Sequence, residues 1–494
     1  MPALTLDLLA ILIFCLAAVL YSGLLPARWR GWFVLVGSLV AVYWLQPPLP
    51  IRFSDYILPS VTIGLTTLAW WVTRRQDDPE QRSFLPEDRR TLALVVALVL
   101  GLSFMRYLDA DFRLTPSRPP SPLAVAAVIL FCIALALIVI RLARSLVARH
   151  QRAVLTGFIL LVVAIFIALK WPSPAESLAR WWRGLTGQDA GLANPIDLTW
   201  LGFSFVAFRL IHTLRDRQNG ILPAMSLREY LSYVLFFASY IAGPIDRAER
   251  FTPEYRALPS LQGLEASRWG QGLWRIAQGL FKKFVIADLL AQGMSLTADH
   301  VTQADSTLGL WVLLYGYALR LYFDFAGYTD IAIGIGLLFG IRLPENFNRP
   351  YLKSNITAFW QSWHATLSNW ARFYIFTPLS RWLLKRSWRP PPAIIVLTAQ
   401  LTTMIVIGLW HGITLNYFLW GIWHGLALFV HKQWSDRTRK WYRGLNARPN
   451  RKRAWHFTAW FLTFNYVTLG WVWFALPTVG LSLKAFGKLF GVGG

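Results

Sequence analysis

Residues 307–342 read TLGLWVLLYGYALRLYFDFAGYTDIAIGIGLLFGIR. Two apolar runs, 307–325 and 327–342, follow each other in this stretch, with only Ala326 between them. Because a helix needs roughly 20 apolar residues to cross about 30 Å of hydrocarbon, each run is close to the length of a membrane span. Runs of similar length recur on both sides of the stretch.

The composition of the whole chain agrees with this interpretation. Its 494 residues are 55% hydrophobic and only 15% charged, whereas about a quarter of the residues of soluble domains are charged. The formal net charge of +24 does not indicate nucleic acid binding, because Lys and Arg gather between apolar runs, as in cytoplasmic membrane loops. The sequence predicts an all-α polytopic membrane protein with roughly 11 to 13 membrane helices plus short re-entrant or flat helices.

The distribution of Lys and Arg predicts the orientation of the chain. The loops after the first, third and fifth runs together carry more Lys and Arg than the loops between them, which places them in the cytoplasm. The segment 432–453 holds nine basic residues and one acidic residue, Asp436. We expect a plasma (inner) membrane protein with both termini outside. The basic segment is interpreted as an orientation signal that attracts anionic membrane lipid, with docking of an acidic cytoplasmic acyl carrier protein as the alternative.

Polar residues divide the chain into three parts. Residues 1–190 are generic Leu/Val/Ala spans, residues 191–475 mix Trp, Gly, Asn, His, Asp and Arg into apolar surroundings, and residues 476–494 form a C-terminal tail. Polar groups inside a membrane are costly and mark function by default. The middle part is therefore the predicted catalytic core.

The tripeptide Trp-His-Gly occurs twice in this core. Near neutral pH an imidazole accepts a proton from a hydroxyl and returns it, as acyl transfer to a hydroxyl requires. In the first copy, Trp410 would keep water out and Gly412 would let backbone or substrate come close. His411 is the first candidate for catalysis, although a membrane histidine is more often a helix–helix hydrogen-bond partner. His424, in the second copy, is assigned to the substrate channel, with packing of a Trp/Gly interface as the alternative.

A second candidate for catalysis is His364, in the Trp-rich segment FWQSWHATLS. This segment is too polar to span a membrane, so we expect a buried re-entrant or flat helix. Trp360 and Trp363 beside the histidine, together with Trp410, are assigned to the substrate channel.

The acidic residues of the opening stretch do not predict a metal site. Asp324 and Asp330 are six residues apart, so a helix directs them to different faces. Each is expected to pair with a buried polar group such as Arg209 or Arg349, because unpaired charge there is expensive; Asp324 is also assigned to the substrate channel. The sequence contains no GxSxG, HExxH, P-loop or GxGxxG motif, which leaves a serine hydrolase, zinc protease or nucleotide site without an anchor.

Four stretches in one order carry a family resemblance: FDFAGYTDIAIG, PENFNRPY, FWQSWHATLS and GLWHG. Together they resemble the membrane-bound O-acyltransferase (MBOAT) family. The similarity is to its bacterial branch, which holds the alginate O-acetylation and teichoic acid D-alanylation membrane proteins. Gln361 and Ser362 stand where the family usually has two basic residues.

The resemblance implies a ring of tilted helices around a central funnel, the MBOAT fold. It implies that His411 is the main catalytic histidine and that His364 is the second one, near the mouth of the reaction tunnel. It further implies a thioester acyl donor, acyl-CoA or an acyl carrier protein, as co-substrate, with no bound cofactor. An outer-face acyltransferase partner protein and a polysaccharide or cell-wall polymer acceptor are implied as well.

We therefore expect an O-acyltransferase that moves an acyl group, acetyl in the first place, to a hydroxyl of an exported or cell-envelope polysaccharide. The stretch Gly243–Arg247 looks more like the D-alanylation branch, so D-alanyl transfer to a cell-wall polymer is the alternative. A non-enzymatic transporter or flippase of a lipid-linked sugar is the alternative of another class, although the sequence shows no inverted repeat of the transporter kind.

Overall fold

The computed structural model describes residues 8–74, 84–304, 306–388 and 390–492. These residues form α-helices, short 3-10 turns and two π-helical segments, and they contain no strand. The prediction of an all-α protein is confirmed.

The α-helices are, in chain order, α1 (Leu8–Gly23), α2 (Arg30–Trp44), α3 (Ser54–Thr73), α4 (Pro86–Ser103), α5 (Pro122–Lys170), α6 (Pro172–Leu185), α7 (Phe203–Gln218), α8 (Leu227–Val234), α9 (Ala248–Ala257), α10 (Ala266–Leu280), α11 (Asp288–Ala291), α12 (Ala298–Gln303), α13 (Thr307–Leu338), α14 (Ile356–Trp360), α15 (Ala365–Ala371), α16 (Thr377–Leu384), α17 (Pro392–His411), α18 (Leu415–Gly444), α19 (Pro449–Ala475) and α20 (Val479–Leu489). The π-helical segments are Phe281–Ala287 and Arg372–Phe376. Helix α5 is kinked at His150, where the backbone leaves the helical conformation.

The chain forms two compact units. One consists of the described residues of Met1–Arg275 and Ala332–Leu343, and the other of those of Ile276–Ile331 and Pro344–Gly494. All three candidate histidines belong to the second unit. The boundaries at residues 190 and 475 follow composition and stay a prediction, as does the central funnel.

Several helices are suited to a membrane. Among the described residues, five helices are long and apolar enough to cross one: Ser54–Thr73, Pro86–Tyr107, Arg149–Lys170, Thr307–Leu338 and Pro392–His411. Two shorter apolar helices, Leu8–Gly23 and Pro122–Ile138, accompany them. The number of 11 to 13 crossings stays a prediction, because other apolar runs are divided among short helices; the run 274–292, for instance, includes a π-helical segment.

The two apolar runs of the opening stretch share one helix, which has no break at Ala326. Helix α13 continues through this residue from Thr307 to Leu338. Its Gly327 faces Gly279 of α10 so closely that an added Cβ would lie 2.8 Å from the Gly279 carbonyl oxygen. Small residues let helix backbones approach in this way, so packing against α10 accompanies the continuous helix.

Helices α17 and α18 pack closely against each other through glycines. A Cβ added to Gly408 would lie 2.2 Å from the Tyr417 carbonyl oxygen, and one added to Gly421 would lie 2.7 Å from Ile405 Cα. Because these neighbours are backbone atoms, they cannot move aside without shifting a helix. The contact fixes the end of α17, where His411 lies.

We expect the substitution Gly408→Ala to destabilise the protein by about 1–3 kcal/mol, the usual cost of overpacking a tight contact. The measurement is the thermal unfolding midpoint of the detergent-solubilised protein. Gly64→Ala in α3 is the matched control, because a Cβ there meets nothing within 4 Å. Equal midpoints for the two variants would contradict the packing argument.

Candidate active site

A short loop closure places His364. After α13, the carbonyl of Asn346 accepts from the Ala365 amide at 2.9 Å, and the Asn348 amide donates to the Ser362 carbonyl at 3.0 Å. His364 itself has φ +42°, in the left-handed region. Non-glycine residues rarely adopt this conformation, and it clusters at functional sites. The loop therefore holds the histidine in a strained and defined position at the start of α15.

The side chain of Asn346 sets the tautomer of His364. Asn346 Oδ1 accepts from the Thr366 amide at 3.2 Å and from the Thr366 hydroxyl at 2.8 Å. Because the backbone N–H of Thr366 can only donate, the Asn346 atom that accepts from it must be the oxygen of the side-chain amide. His364 Nδ1 lies 3.0 Å from the same oxygen, so Nδ1 carries the proton.

The other ring nitrogen of His364 therefore has its lone pair available. Nε2 is buried and has no hydrogen-bond partner within the ranges that the structure describes. The residue is 3% exposed and lies between the short helices α14 and α15, outside the five membrane helices. Burial lowers the pKa of His364, because the charged imidazolium would lose its hydration. The ring is thus a neutral imidazole with an accepting Nε2.

His411 and His364 both pack against Trp410. The ring centroid of Trp410 is 6.1 Å from that of His364 and 4.4 Å from that of His411. His411 ends α17 and is partly exposed, whereas His364 is buried. The structure thus brings together the two histidines that the sequence nominated for catalysis.

Aromatic side chains enclose His411. Its ring lies 4.7 Å from Phe474, 5.8 Å from Trp420 and 5.8 Å from Tyr417, between centroids. The close neighbour of Gly412 is the Tyr417 ring, because a Cβ on Gly412 would lie 2.9 Å from Tyr417 Cε2. This glycine therefore makes room for an enclosing ring.

His424 lies deeper in the same aromatic cluster. It is completely buried, with its ring 4.8 Å from Trp420 and 5.2 Å from Trp360. Neither of its ring nitrogens has a hydrogen-bond partner among the residues described. A Cβ on Gly470 would lie 2.9 Å from His424 Nε2, so α19 approaches the ring closely.

The two Trp-His-Gly copies have different surroundings. Gly412 follows the end of α17, whereas Gly425 lies inside α18 and packs against Leu401, with 3.1 Å between an added Cβ and Leu401 Cα. The alternative given for the second Trp-His-Gly copy, packing of a Trp/Gly interface, therefore applies to Gly425. For His424, whose ring joins the cluster around His411, assignment to the substrate channel stays a prediction.

The two tryptophans beside His364 take different places. The ring of Trp360 lies 5.2 Å from that of His424 and 5.6 Å from that of Trp420, between centroids. Its indole N–H has no hydrogen-bond partner in the described part of the chain. Trp363 packs on Tyr351 and Trp471, with ring centroids 5.6 Å and 5.1 Å apart. Trp360 thus belongs to the aromatic cluster around His424, and the assignment of both tryptophans to the substrate channel stays a prediction.

Asp324 forms an ion pair with a partner that the sequence did not predict. Its Oδ1 lies 2.6 Å from Lys283 Nζ, in the π-helical segment 281–287. The neighbouring Lys282 pairs with Asp330. The expected pairing of Asp324 is present, but the partner is this lysine instead of Arg209 or Arg349.

We expect Asp324→Asn to lower the stability by about 1–3 kcal/mol, because Lys283, 7% exposed, would keep a buried charge without its carboxylate. Adding Lys283→Met removes the orphaned charge and should recover most of the loss. Thermal unfolding of the single and double variants is the measurement. A single variant as stable as the wild type would show that the ion pair contributes nothing.

Asn346 and Phe325 are the site residues that sequence reasoning missed. Asn346 lies in the stretch PENFNRPY, and the structure makes it the acceptor for His364 Nδ1. Phe325 packs edge-on against the His364 ring, with centroids 4.8 Å apart. Asn346 is fully buried in the structure, and a buried amide needs hydrogen-bond partners. An uncharged amide within the predicted core was therefore the signal that the sequence offered for this residue.

The comparisons with known proteins agree on one family. The model of the membrane-bound O-acyltransferase family matches residues 197–473. The chain is 37% identical over 277 residues to the peptidoglycan O-acetyltransferase of Helicobacter pylori, covering 54% of this chain and 48% of that protein. It is 34% identical over 317 residues to a probable alginate O-acetylase of Pseudomonas fluorescens, with 62% and 58% covered. It is 29% identical over 279 residues to the teichoic acid D-alanyltransferase of Bacillus subtilis, with 56% and 69% covered.

The chain thus spans about half the length of the first two of these relatives. The matched region nevertheless exceeds half of this chain and contains His364, His411 and His424. The resemblance expected from the four sequence stretches is confirmed. This chain belongs to the membrane-bound O-acyltransferase family.

Proposed function

We propose that the protein is an O-acyltransferase that moves a short acyl group, acetyl in the first place, from a thioester donor to a hydroxyl of an exported or cell-envelope polysaccharide. The observation that carries the proposal is that two histidines pack against the same tryptophan, Trp410, within aromatic walls. Relatives named peptidoglycan O-acetyltransferase and alginate O-acetylase support acetyl transfer.

The proposed step uses His411 as general base. Its ring accepts the hydroxyl proton, the hydroxyl oxygen attacks the thioester carbonyl carbon, and the C–S bond breaks. The leaving sulfur takes the proton from His411, so that an ester and a free thiol result. His411 suits this part because it is partly exposed and lies at the end of a helix, where a substrate hydroxyl can reach its ring.

His364 assists this base from a buried position. Because Nδ1 of His364 donates to Asn346, only Nε2 can accept a proton. The ring therefore relays or positions a proton through this one atom. The aromatic walls keep water from hydrolysing the thioester. The proposed path of the substrate is lined by the five residues assigned to the channel: Trp360, Trp363, Trp410, Asp324 and His424.

The location, the acyl donor and the partner protein are proposed from the distribution of basic residues and from the family. We propose the plasma (inner) membrane as the location, with both termini outside, because the basic segments then face the cytoplasm. The donor is acyl-CoA or an acyl carrier protein, acting as co-substrate with no bound cofactor. An outer-face acyltransferase partner protein would pass the acyl group on to the polymer.

D-alanyl transfer is the second candidate, because the Bacillus subtilis relative is named teichoic acid D-alanyltransferase. Membranes containing the chain, supplied in parallel with isotopically labelled acetyl and D-alanyl thioesters, separate the two. We expect label from the acetyl donor in base-labile polymer esters. Label from the D-alanyl donor alone would replace the acetyl assignment. Polysaccharide export without any labelled ester would favour a transporter or flippase.

A further inference from the structure

The hairpin formed by α18 and α19 has a cleft at its tip. A 3-10 turn, Leu445–Ala447, joins the two helices. The cleft has a volume of about 620 Å³. The residues that line it include two tryptophans, two arginines and a threonine: Trp441, Arg448, Arg451, Trp455 and Thr458.

The helical repeat explains why these residues meet. Arg451, Trp455 and Thr458 are spaced i, i+4 and i+7, so they share one face of α19. Trp434 and Trp441 share a face of α18 for the same reason. The ring of Trp455 lies 5.1 Å from Trp441 and 6.2 Å from Trp434, between centroids, which closes one side of the cleft with indoles.

The positive charge of the cleft is not compensated. Arg448 and Arg451 are exposed, and neither has an ion-pair partner among the residues that the structure describes. The acidic residue of the segment 432–453, Asp436, pairs with Lys432 at 2.5 Å. Two guanidinium groups at the edge of one cleft are therefore available to an anion, and Arg favours phosphate.

Apolar residues extend the same two faces away from the tip. Leu462 lies eleven residues after Arg451, on the same face of α19 and about 16 Å along the helix. On α18, Val430 lies eleven residues before Trp441, on the face of that tryptophan. Both apolar side chains are largely exposed, 59% for Leu462 and 62% for Val430. The order from the tip is arginine, tryptophan, aliphatic side chain.

We propose that this cleft binds an anionic phospholipid. The phosphate lies at Arg448 and Arg451, the indoles lie at the level of the glycerol backbone, and the first part of an acyl chain follows Leu462 and Val430. The order of charged, aromatic and aliphatic groups matches that of headgroup, interface and hydrocarbon in a bilayer. A soluble phosphate compound or an acidic protein would have no use for the exposed aliphatic residues. The inference does not depend on the proposed function.

Native mass spectrometry of the full-length chain, purified in detergent, tests the site with added phosphatidylglycerol and with phosphatidylcholine. We expect the wild type to retain phosphatidylglycerol preferentially. The double variant Arg448→Gln/Arg451→Gln should lose about ten-fold or more of this affinity, since each basic residue near an anionic headgroup contributes to binding.

The matched control is Arg439→Gln/Arg453→Gln, which removes the same charge from the same segment. Each of these residues is two positions from a cleft residue, about 200° around its helix, so lipid retention should stay at the wild-type level. Equal loss in both double variants, or loss in neither, would overturn the site. Displacement of the lipid by soluble glycerol phosphate, or lost binding of an acidic carrier protein with unchanged lipid retention, would overturn the choice of ligand.

Discussion

Replacing His411 by alanine should lower acyl transfer by about 10²–10⁴-fold, which is the usual contribution of a general acid–base group. The ring is the more exposed member of the histidine pair and lies 4.4 Å from Trp410 between centroids. Without it, the histidine that remains against Trp410 is His364, which is buried and less accessible to a hydroxyl. The measurement is the initial rate of label transfer from a thioester donor in membranes, normalised to the amount of chain.

The control for this variant is His300→Ala in α12. His300 belongs to the same unit, but it lies outside the aromatic cluster around His411. Its Nδ1 is hydrogen-bonded to the Ser295 carbonyl at 2.9 Å. This variant should keep wild-type activity. His411→Gln, which fills more of the space left by the ring, separates loss of chemistry from loss of packing against Phe474. Full activity in both His411 variants would remove this residue from the mechanism.

Asn346→Leu should lower the rate by up to about a hundred-fold, because the tautomer of His364 would no longer be fixed. In the wild type, Oδ1 of Asn346 accepts from His364 Nδ1 at 3.0 Å, and Nε2 is left as the acceptor. With leucine, the ring proton can occupy either nitrogen, and a fraction of the molecules presents Nε2–H. The same initial-rate assay measures the effect.

Asn346→Asp distinguishes this positioning role from a merely structural one. A carboxylate at this place still accepts from Nδ1, and its charge raises the pKa of His364. The imidazolium then persists to higher pH, whereas the reaction requires the neutral ring. We therefore expect activity at high pH and a shift of the acid limb of the pH–rate profile to higher pH. An unchanged profile would show that Asn346 acts only in packing.

Local features of the sequence were enough to identify the candidate histidines. His411 and His364 stood out because an ionisable ring between tryptophans is unusual in an apolar segment. The structure places both beside Trp410. Their catalytic roles stay predictions.

Contacts between distant segments were out of reach of the sequence. The continuity of α13 accompanies the approach of Gly279 to Gly327, which joins positions 48 residues apart. The partner of Asp324 is a lysine in a π-helical segment 41 residues earlier, and apolar periodicity gives no sign of such a segment. Likewise the role of Asn346 depends on the loop that turns the chain back to residue 364.

The central claim is that these histidines catalyse covalent acyl transfer. Proteoliposomes containing only the purified chain, a labelled acetyl thioester and a hydroxyl acceptor test it directly, with free thiol and ester product measured together. We expect the wild type to form both in equal amounts and His411→Ala to form neither above background. Equal product formation by the variant, or passage of the acceptor across the bilayer without ester formation, would contradict the account.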